Sequence, residues 1–248
     1  MTDLVLRERR GPAEHLVLNR PDKLNALNVE LFQALDAHVR AIAAEPSDAA
    51  VVVLRGAGRC FSAGHDLGDI AAGEALPTPN FQAKVIERLA GLPLPVITAV
   101  HGHCYTGALE LALAGDVIIA AEGAKLGDTH ARWALTPVWG LSQRLPRRVG
   151  VAKAKEMMFT CRTYSGREAE QMGLANACVP DDAFEAAIDA WAEEIAANSS
   201  FSHAANKRLI DQTDGLPLTA GLSHEIFRAA GVGPDMRERI AAFASRKR

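Results

Sequence analysis

The amino-acid sequence predicts an α/β protein with a helical appendage at its C-terminal end. Short apolar runs with strand character, such as residues 50–54 and 95–100, alternate with amphipathic helical segments along most of the chain. This alternation is typical of α/β architecture. From about Asn198 onwards the sequence is helical and polar, unlike the core. We therefore expect a core over residues 1–197 and a C-terminal helical region over residues 198–248.

The predicted elements follow one another with short connections. Apolar residues recur at helical spacing over 27–42, and Asn28 is placed to cap that helix. Ser165 and Glu168 have the spacing of a capping box. The polar stretch 68–80, which contains proline and glycine, is predicted to be a mobile loop. Strands are expected at 4–9, 15–19, 50–55, 95–100, 116–121 and 176–179, and further helices around 81–90, 106–114, 140–149, 151–159, 165–172 and 182–197.

Composition excludes several classes of function. A net charge of −3 provides no concentrated basic face for nucleic acid. The four cysteines have no CxxC spacing and indicate reduced thiols, not a disulfide framework. No apolar run approaches the length of a membrane span, and the N-terminus has no signal-peptide pattern. We expect a cytoplasmic protein that binds neither nucleic acid nor membrane.

Glu110 is the only ionisable residue in a segment, 106–114, that is apolar on every face. Such a helix is expected to be buried, where an unpaired carboxylate is costly and resists ionisation. One interpretation is a glutamate paired with a structural arginine. The other is a general base or acid with a raised pKa.

Two glycine-containing turns offer backbone N–H groups to a ligand. Gly107 lies in the first turn of the Glu110 helix, where its N–H has no intrahelical partner and no Cβ hinders approach. The Gly64-His65 turn supplies a second N–H. If the two converge, they form an oxyanion hole for a carbonyl that becomes an enolate. The alternative is two ordinary tight turns.

Four motifs in order carry a family resemblance: LNRPDKLNAL, FSAGHDL, GALELALAGDVIIA and GLSQRLPRRVG. From about Leu16 to Pro180 the chain resembles the enoyl-CoA hydratase/isomerase (crotonase) superfamily. The resemblance implies a spiral of repeated ββα units, a homotrimer or homohexamer formed through the C-terminal helices, and an acyl-CoA thioester as substrate. His65 and Gly107 match the positions of the family's oxyanion-hole donors.

The resemblance also implies where coenzyme A is held. Its adenine is expected along the backbone at Ser62, Ala63 and His65, with help from an aromatic and a basic residue of the tail, Phe243 and Arg246. A solvated tail is the alternative for the last two. Coenzyme A is part of the substrate, so no separate cofactor is expected.

His130 marks a departure from the family pattern. Family hydratases carry two glutamates around one water; Glu110 matches the first, and His130 occupies the position of the second. Val138 stands where other members use an aspartate. An imidazole can supply a proton or hold water, or it can be structural. Asp128 can orient it only if the backbone geometry permits.

A metal site and a shaped acyl pocket are two further possibilities. The cluster of His101, His103 and Cys104 includes a His-x-His pair, which a strand would place on one face. No third ligand follows at suitable spacing, so we expect no metal. Apolar residues suggest a pocket for the acyl chain, although core packing is the default for such residues. They are Trp133, Leu135, Val138 and Trp139.

The sequence therefore predicts an enoyl-CoA hydratase-like lyase that adds water across a 2-enoyl-CoA. In this prediction Glu110 activates the water, and His130 or a second water supplies the α-proton. The alternatives are an acyl-CoA-binding paralogue with little turnover, and another reaction of the family through the same enolate, such as a hydrolase, decarboxylase or isomerase.

Overall fold

The computed structural model describes residues 3–44 and 48–245. Its strands are β1 (Val5–Arg10), β2 (Ala13–Leu18), β3 (Val51–Gly56), β4 (Val96–Val100), β5 (His103–Tyr105), β6 (Val117–Ala121), β7 (Lys125–Gly127), β8 (Tyr164–Ser165) and β9 (Ala177–Val179). Its α-helices are α1 (Val29–Ala44), α2 (Leu67–Ala72), α3 (Phe81–Ala90), α4 (Gly107–Ala112), α5 (Leu141–Val149), α6 (Val151–Thr160), α7 (Gly166–Gln171), α8 (Phe184–Ala196), α9 (Ser200–Thr213), α10 (Leu218–Arg228) and α11 (Met236–Ser245).

The main sheet has six strands in the order β1-β2-β3-β4-β6-β9, and a smaller one has the order β5-β7-β8. Within the main sheet β1 is antiparallel to β2, and every other neighbouring pair is parallel. Parallel strands need crossover connections, which place helices on the faces of the sheet and bury the strands on both sides. The apolar runs in β3 and β4 follow from this burial.

Alternate residues of β3 serve two different hydrophobic clusters. Val52 and Leu54 belong to the larger cluster, which includes residues of α1, α3 and α4. Val51 and Val53 face the other way and pack with the α8 residue Ile188 in a smaller cluster. This division follows from the two-residue period of a strand. Helix α4 therefore lies inside the larger core, and all six of its residues are buried.

Most predicted elements are confirmed within a few residues of their bounds. The predicted capping box is present, because Ser165 Oγ accepts from the N–H of Glu168 while the Glu168 carboxylate accepts from the N–H of Ser165. The predicted mobile loop at 68–80 is wrong in its first part. Helix α2 forms there because the Asp66 side chain caps it at the N–H of Gly68, and Gly73 ends it with φ of +75°.

The C-terminal region consists of α9, α10 and α11, which expose many apolar side chains. Leu218 and Phe227 are each 78% exposed, and Ile226 is 73% exposed. Within residues 3–44 and 48–245, no helix combines the length and apolar character that crossing a bilayer requires.

Candidate active site

A cavity of about 600 Å³ opens where the loop after β3 meets the N-terminus of α4 and the segment between β7 and α5. Its lining combines apolar side chains with a few polar groups, the pattern of a small-molecule site. The lining residues are Ala63, His65, Leu67, Ile70, Tyr105, Thr106, Gly107, Glu110, Thr129, His130, Arg132, Trp133, Ala134, Leu135, Thr136, Val138, Trp139 and Thr163.

Buried polar side chains fix the loop that carries His65. Asn25, with no exposed surface, donates to the carbonyl oxygens of Ala57 and Cys60. The buried Ser62 hydroxyl donates to the carbonyl of Asn25 and accepts from the N–H of Gly64 at 3.1 Å. The loop conformation is therefore set by hydrogen bonds within the fold.

Gly64 allows the loop to approach β5 closely. Its φ is +107°, and a Cβ there would lie 2.7 Å from the carbonyl oxygen of Tyr105. Only glycine fits this position without strain. The N–H of the next residue, His65, has no hydrogen-bond partner within the described part of the chain. It remains available to a ligand.

Thr106 turns the chain sharply into α4. Its φ of +55° is rare for a β-branched residue. The Thr106 hydroxyl lies 2.6 Å from the Thr129 hydroxyl and accepts from the N–H of Thr129, while the Thr106 N–H donates to the carbonyl of Gly127. Such a strained backbone persists only where its surroundings hold it. Here they hold it immediately before Gly107.

Gly107 and the backbone of His65 lie close together beside the cavity. A Cβ built on Gly107 would lie 3.3 Å from the backbone nitrogen of His65 and 2.6 Å from the Trp139 ring. Among residues 3–44 and 48–245, none accepts a hydrogen bond from the Gly107 N–H. Two backbone donors beside a cavity can stabilise an oxyanion.

Glu110 is 1% exposed, and its first carboxylate oxygen is held by the start of α5. Oε1 accepts from the N–H groups of Trp139 at 2.8 Å and Leu141 at 3.1 Å. Burial raises the pKa of the Glu110 carboxyl, although these two donors act in the opposite direction. No arginine of residues 3–44 or 48–245 forms an ion pair with it, so the interpretation as a structural arginine partner is not supported.

The structure brings His130 to the second oxygen of Glu110. His130 Nε2 lies 3.7 Å from Glu110 Oε2, and His130 Nδ1 lies 2.6 Å from Asp128 Oδ1. Asp128 is 1% exposed, and His130 is 7% exposed. The three side chains form a buried row with the imidazole in the middle. Such a row can pass protons between its members and a bound molecule.

The side chain of His65 has partners that the sequence does not predict. His65 Nε2 lies 3.1 Å from Glu74 Oε2, which also accepts from the amide of Gln82 at 2.7 Å. The His65 ring packs on the Trp139 indole, with ring centroids 4.7 Å apart. Glu74 lies just after α2, inside the stretch predicted to be a mobile loop, so no sequence signal pointed to it.

Two apolar residues that could have been core turn out to be pocket wall. Trp133 is 55% exposed and Val138 is 70% exposed, and both line the cavity. Leu135 also lines it. The default of core packing is therefore wrong for Trp133 and Val138. Trp139 is buried and packs edge-to-face on Phe32, so it combines both roles.

The residues predicted to hold coenzyme A are only partly gathered here. Ala63 and His65 line the cavity, whereas the Ser62 hydroxyl is buried and engaged in the loop. Phe243 lies on α11 and is not among the residues that line this cavity. Arg246 lies outside the described residues. Across residues 3–44 and 48–245 there is no cluster of three or more His, Cys, Asp or Glu side chains that could hold a metal ion.

Comparison with known proteins places this site in a family context. Residues 14–247 match the family described as enoyl-CoA hydratase/isomerase. A probable enoyl-CoA hydratase of Rhizobium meliloti (strain 1021) is 35% identical, with 99% of this chain and 96% of the relative covered. The 2,3-dehydroadipyl-CoA hydratase of Escherichia coli (strain K12) is 33% identical over 100% of this chain and 97% of the relative.

Solved structures agree with the sequence relatives. The crystal structure of an enoyl-CoA hydratase from Bacillus anthracis superposes with a TM-score of 0.90 at 33% identity and covers 98% of this chain and 96% of its own. An enoyl-CoA hydratase subunit from Geobacillus kaustophilus gives a TM-score of 0.88 at 29% identity, with 98% and 95% covered. The predicted fold, a spiral of ββα units with C-terminal helices, is confirmed.

Proposed function

This chain belongs to the enoyl-CoA hydratase/isomerase family, and we propose on that premise that it is an enoyl-CoA hydratase. The observation that carries the proposal is the position of Glu110. Its buried carboxylate is fixed through one oxygen and faces an imidazole with the other. The same cavity holds two backbone N–H groups, of His65 and Gly107, that have no hydrogen-bond partner among the described residues. This arrangement has a base, an acid and an oxyanion hole, which together suffice for adding water to an activated double bond.

The N–H groups of His65 and Gly107 are proposed to bind the thioester oxygen of the substrate. Conjugation lets negative charge move onto this oxygen as an enolate when a nucleophile adds to C3. Preorganised donors aimed at developing charge are worth about 3–4 kcal/mol each in transition-state stabilisation. The strained Thr106 backbone and the close approach of Gly64 to Tyr105 keep both donors in place.

Glu110 and His130 are proposed to share the proton transfers. Glu110 Oε2 takes a proton from water while the hydroxyl oxygen forms a bond to C3, and the C2=C3 electron pair moves into the enolate. The imidazolium of His130 then delivers a proton from Nε2 to C2, and the enolate collapses to the thioester. The product is a 3-hydroxyacyl-CoA, which contains every atom of the enoyl-CoA and the water.

A final proton transfer restores the starting state. After the addition, Glu110 holds the proton that came from water, and His130 has lost one. The 3.7 Å separation of Glu110 Oε2 and His130 Nε2 lets a small movement or one bridging water return that proton. No metal or separate cofactor is needed in this scheme, and coenzyme A enters only as part of the substrate.

The finer assignments are also part of the proposal. The acyl chain is proposed to lie against Trp133, Leu135 and Val138, whose exposed apolar surfaces line the cavity. The nucleotide of coenzyme A is proposed to run along the backbone near Ala63. Tail residues, including Phe243, are proposed to assist from a neighbouring subunit, as the family resemblance implies.

We also propose that the protein assembles as a homotrimer or homohexamer through α9–α11 and acts in the cytoplasm on fatty acyl-CoA intermediates. The exposed apolar side chains of these helices support the assembly. The net charge of −3 and the cysteine pattern support the compartment and give no reason to expect a nucleic-acid partner.

The test is to measure turnover of crotonyl-CoA and of longer and branched 2-enoyl-CoA thioesters, monitored as the loss of the enoyl absorbance. In ²H₂¹⁸O the expected product carries one deuterium at C2 and ¹⁸O at C3, which distinguishes hydration from thioester hydrolysis or double-bond migration. Release of free coenzyme A would instead indicate a hydrolase. A wild-type rate equal to background on every thioester would overturn the proposal in favour of a binding protein.

A further inference from the structure

We infer that Asp128 is a positioning residue that fixes the orientation and the tautomer of His130. The inference rests on the proposed function, because it assigns a role within the same reaction. Asp128 itself does not line the cavity, whereas His130 does. Its effect on chemistry must therefore be transmitted through the imidazole.

The Asp128 carboxylate holds both the backbone and the ring of His130. Oδ1 accepts two hydrogen bonds, both from His130: one from the backbone N–H at 3.1 Å and one from Nδ1 at 2.6 Å. The first bond fixes the backbone at the start of the turn His130–Trp133, and the second fixes the ring on that backbone. One oxygen therefore defines both the position and the rotation of the imidazole.

The tautomer of His130 follows from the same bond. A carboxylate can only accept, so Nδ1 must carry the hydrogen that it donates to Asp128. In the neutral ring this leaves a lone pair on Nε2, the atom that lies 3.7 Å from Glu110 Oε2. In the protonated ring the same atom carries a hydrogen. Both states present the reactive nitrogen toward Glu110.

The charged groups around His130 support the same role for Asp128. His130 lies between two buried carboxylates, Asp128 beyond the end of β7 and Glu110 on α4. The other charged group on its turn, the guanidinium of Arg132, donates to the carbonyl of Cys161. The Asp128 carboxylate therefore places a negative charge beside the ring that faces Glu110, and this charge also acts to raise the pKa of Glu110.

A purely structural role for Asp128 predicts different behaviour. Aspartate often accepts from an N–H two residues later simply to form a turn. Asparagine can accept the same backbone hydrogen bond, so Asp128→Asn would be harmless if the turn were the whole role. A positioning role fails in the same variant, because the amide has no charge and can donate to Nδ1, which selects the wrong tautomer.

The experiment measures kcat, KM and thermal stability for Asp128→Asn on the full-length protein. We expect kcat to fall between about 10²- and 10⁴-fold, with a small change in KM, as when a carboxylate that orients a catalytic histidine is replaced by its amide. Asp36→Asn is the matched control, because Asp36 is also buried and ion-paired but lies on α1. It should change stability and leave kcat unchanged.

A double-mutant cycle with His130→Gln shows whether Asp128 acts through the imidazole. If it does, Asp128→Asn costs nothing further once the ring is gone, so the two losses are far from additive. Additive losses, or a wild-type kcat in Asp128→Asn alone, would overturn the inference.

Imidazole ¹⁵N NMR tests the tautomer without any turnover. The His130 signals are assigned by their loss in His130→Gln. The neutral ring of the wild type should carry its hydrogen on Nδ1 and lose that preference in Asp128→Asn. An unchanged tautomer would overturn the inference even if the protein hydrates enoyl-CoA. Conversely, a changed tautomer in a protein without hydratase activity would leave Asp128 as the positioning residue and overturn only the proposed function.

Discussion

In the row formed by Glu110, His130 and Asp128, buried charged side chains are partnered within one chain, whereas α9–α11 leave large apolar side chains in solvent. Glu110 and Asp128 are each 1% exposed, and their oxygens face backbone N–H groups or an imidazole. Phe227 and Leu218 on α10 are 78% exposed. Burying the polar side chains of the row costs free energy of desolvation. Leaving the apolar side chains of α9–α11 in water leaves unrealised the favourable free energy that their burial would give.

The difference indicates which functions one chain can complete alone. The proposed proton-transfer groups and the two proposed oxyanion donors all come from one chain, so the proposed reaction takes these groups from a single copy. The C-terminal helices expose large apolar side chains of the kind that an interface between copies would bury. We therefore expect substitutions in the first region to affect kcat and those in the second to affect assembly.

The largest effect is expected from Glu110→Gln. Removing the base should lower kcat at least about 100-fold, because a positioned acid–base group contributes at least that much. Gln can still accept from the N–H groups of Trp139 and Leu141, so the fold should persist. Glu194→Gln, a change of the same kind at an exposed site on α8, should keep the wild-type rate. Turnover of crotonyl-CoA by Glu110→Gln at the wild-type rate would make Glu110 a structural residue.

The next effect is expected from Gly107→Val. Its side chain would lie over the N–H of His65, 3.3 Å from the Cβ position, and should cost about 2–4 kcal/mol of transition-state stabilisation. We expect a large fall in kcat and only a modest fall in melting temperature. Because the Cβ would also lie 2.6 Å from the Trp139 ring, some loss of melting temperature accompanies it. Gly221→Ala on α10, where the nearest atom is 3.8 Å away, is the control and should leave kcat unchanged. Equal proportional losses of stability and activity would indicate a packing role for Gly107.

The raised pKa of Glu110 gives a smaller, pH-dependent effect. In the proposed reaction Glu110 must be ionised to take a proton from water, so kcat/KM should fall at acid pH with a midpoint above the ordinary value of 4.5. The same shift disfavours the ionised side chain in the fold, so the stability that Glu110 contributes is lost as pH rises through its folded pKa. Glu110→Gln should therefore gain melting temperature relative to the wild type between acid and neutral pH. A difference in melting temperature, variant minus wild type, that falls as pH rises over that range would contradict the raised pKa.

The parts of the site that sequence could predict depend on local patterns. A lone glutamate in an apolar helix predicts its own burial. The glycines Gly64 and Gly107 predict accessible N–H groups at His65 and at Gly107. These inferences need only a few neighbouring residues. The α/β class likewise follows from the alternation of apolar periods along the chain.

The missed parts depend on contacts between distant segments or on very short elements. Strands β5, β7 and β8 have only two or three residues each, too few to show a period. The contact between His65 and Glu74 needs a turn after α2 that no pattern specifies. The row from Asp128 through His130 to Glu110 needs the strained turn at Thr106 to bring α4 beside β7, and sequence alone left that geometry open.

The smallest effect on chemistry and the clearest effect on assembly are expected from the double change Ile226→Glu and Phe227→Glu on α10. Each of these side chains would contribute about 1.5–3 kcal/mol if an interface buried it, and a carboxylate in its place would oppose association. Sedimentation velocity should show the wild type as a trimer or hexamer and the variant as a smaller species, with kcat reduced only a few-fold. Ser223→Glu adds the same kind of charge to the same helix at an exposed polar site and should leave the assembly intact. If the double variant sediments like the wild type, α10 is not the interface. If it dissociates and kcat falls as far as in Glu110→Gln, the catalytic site depends on a second copy, and the division between the two regions is wrong.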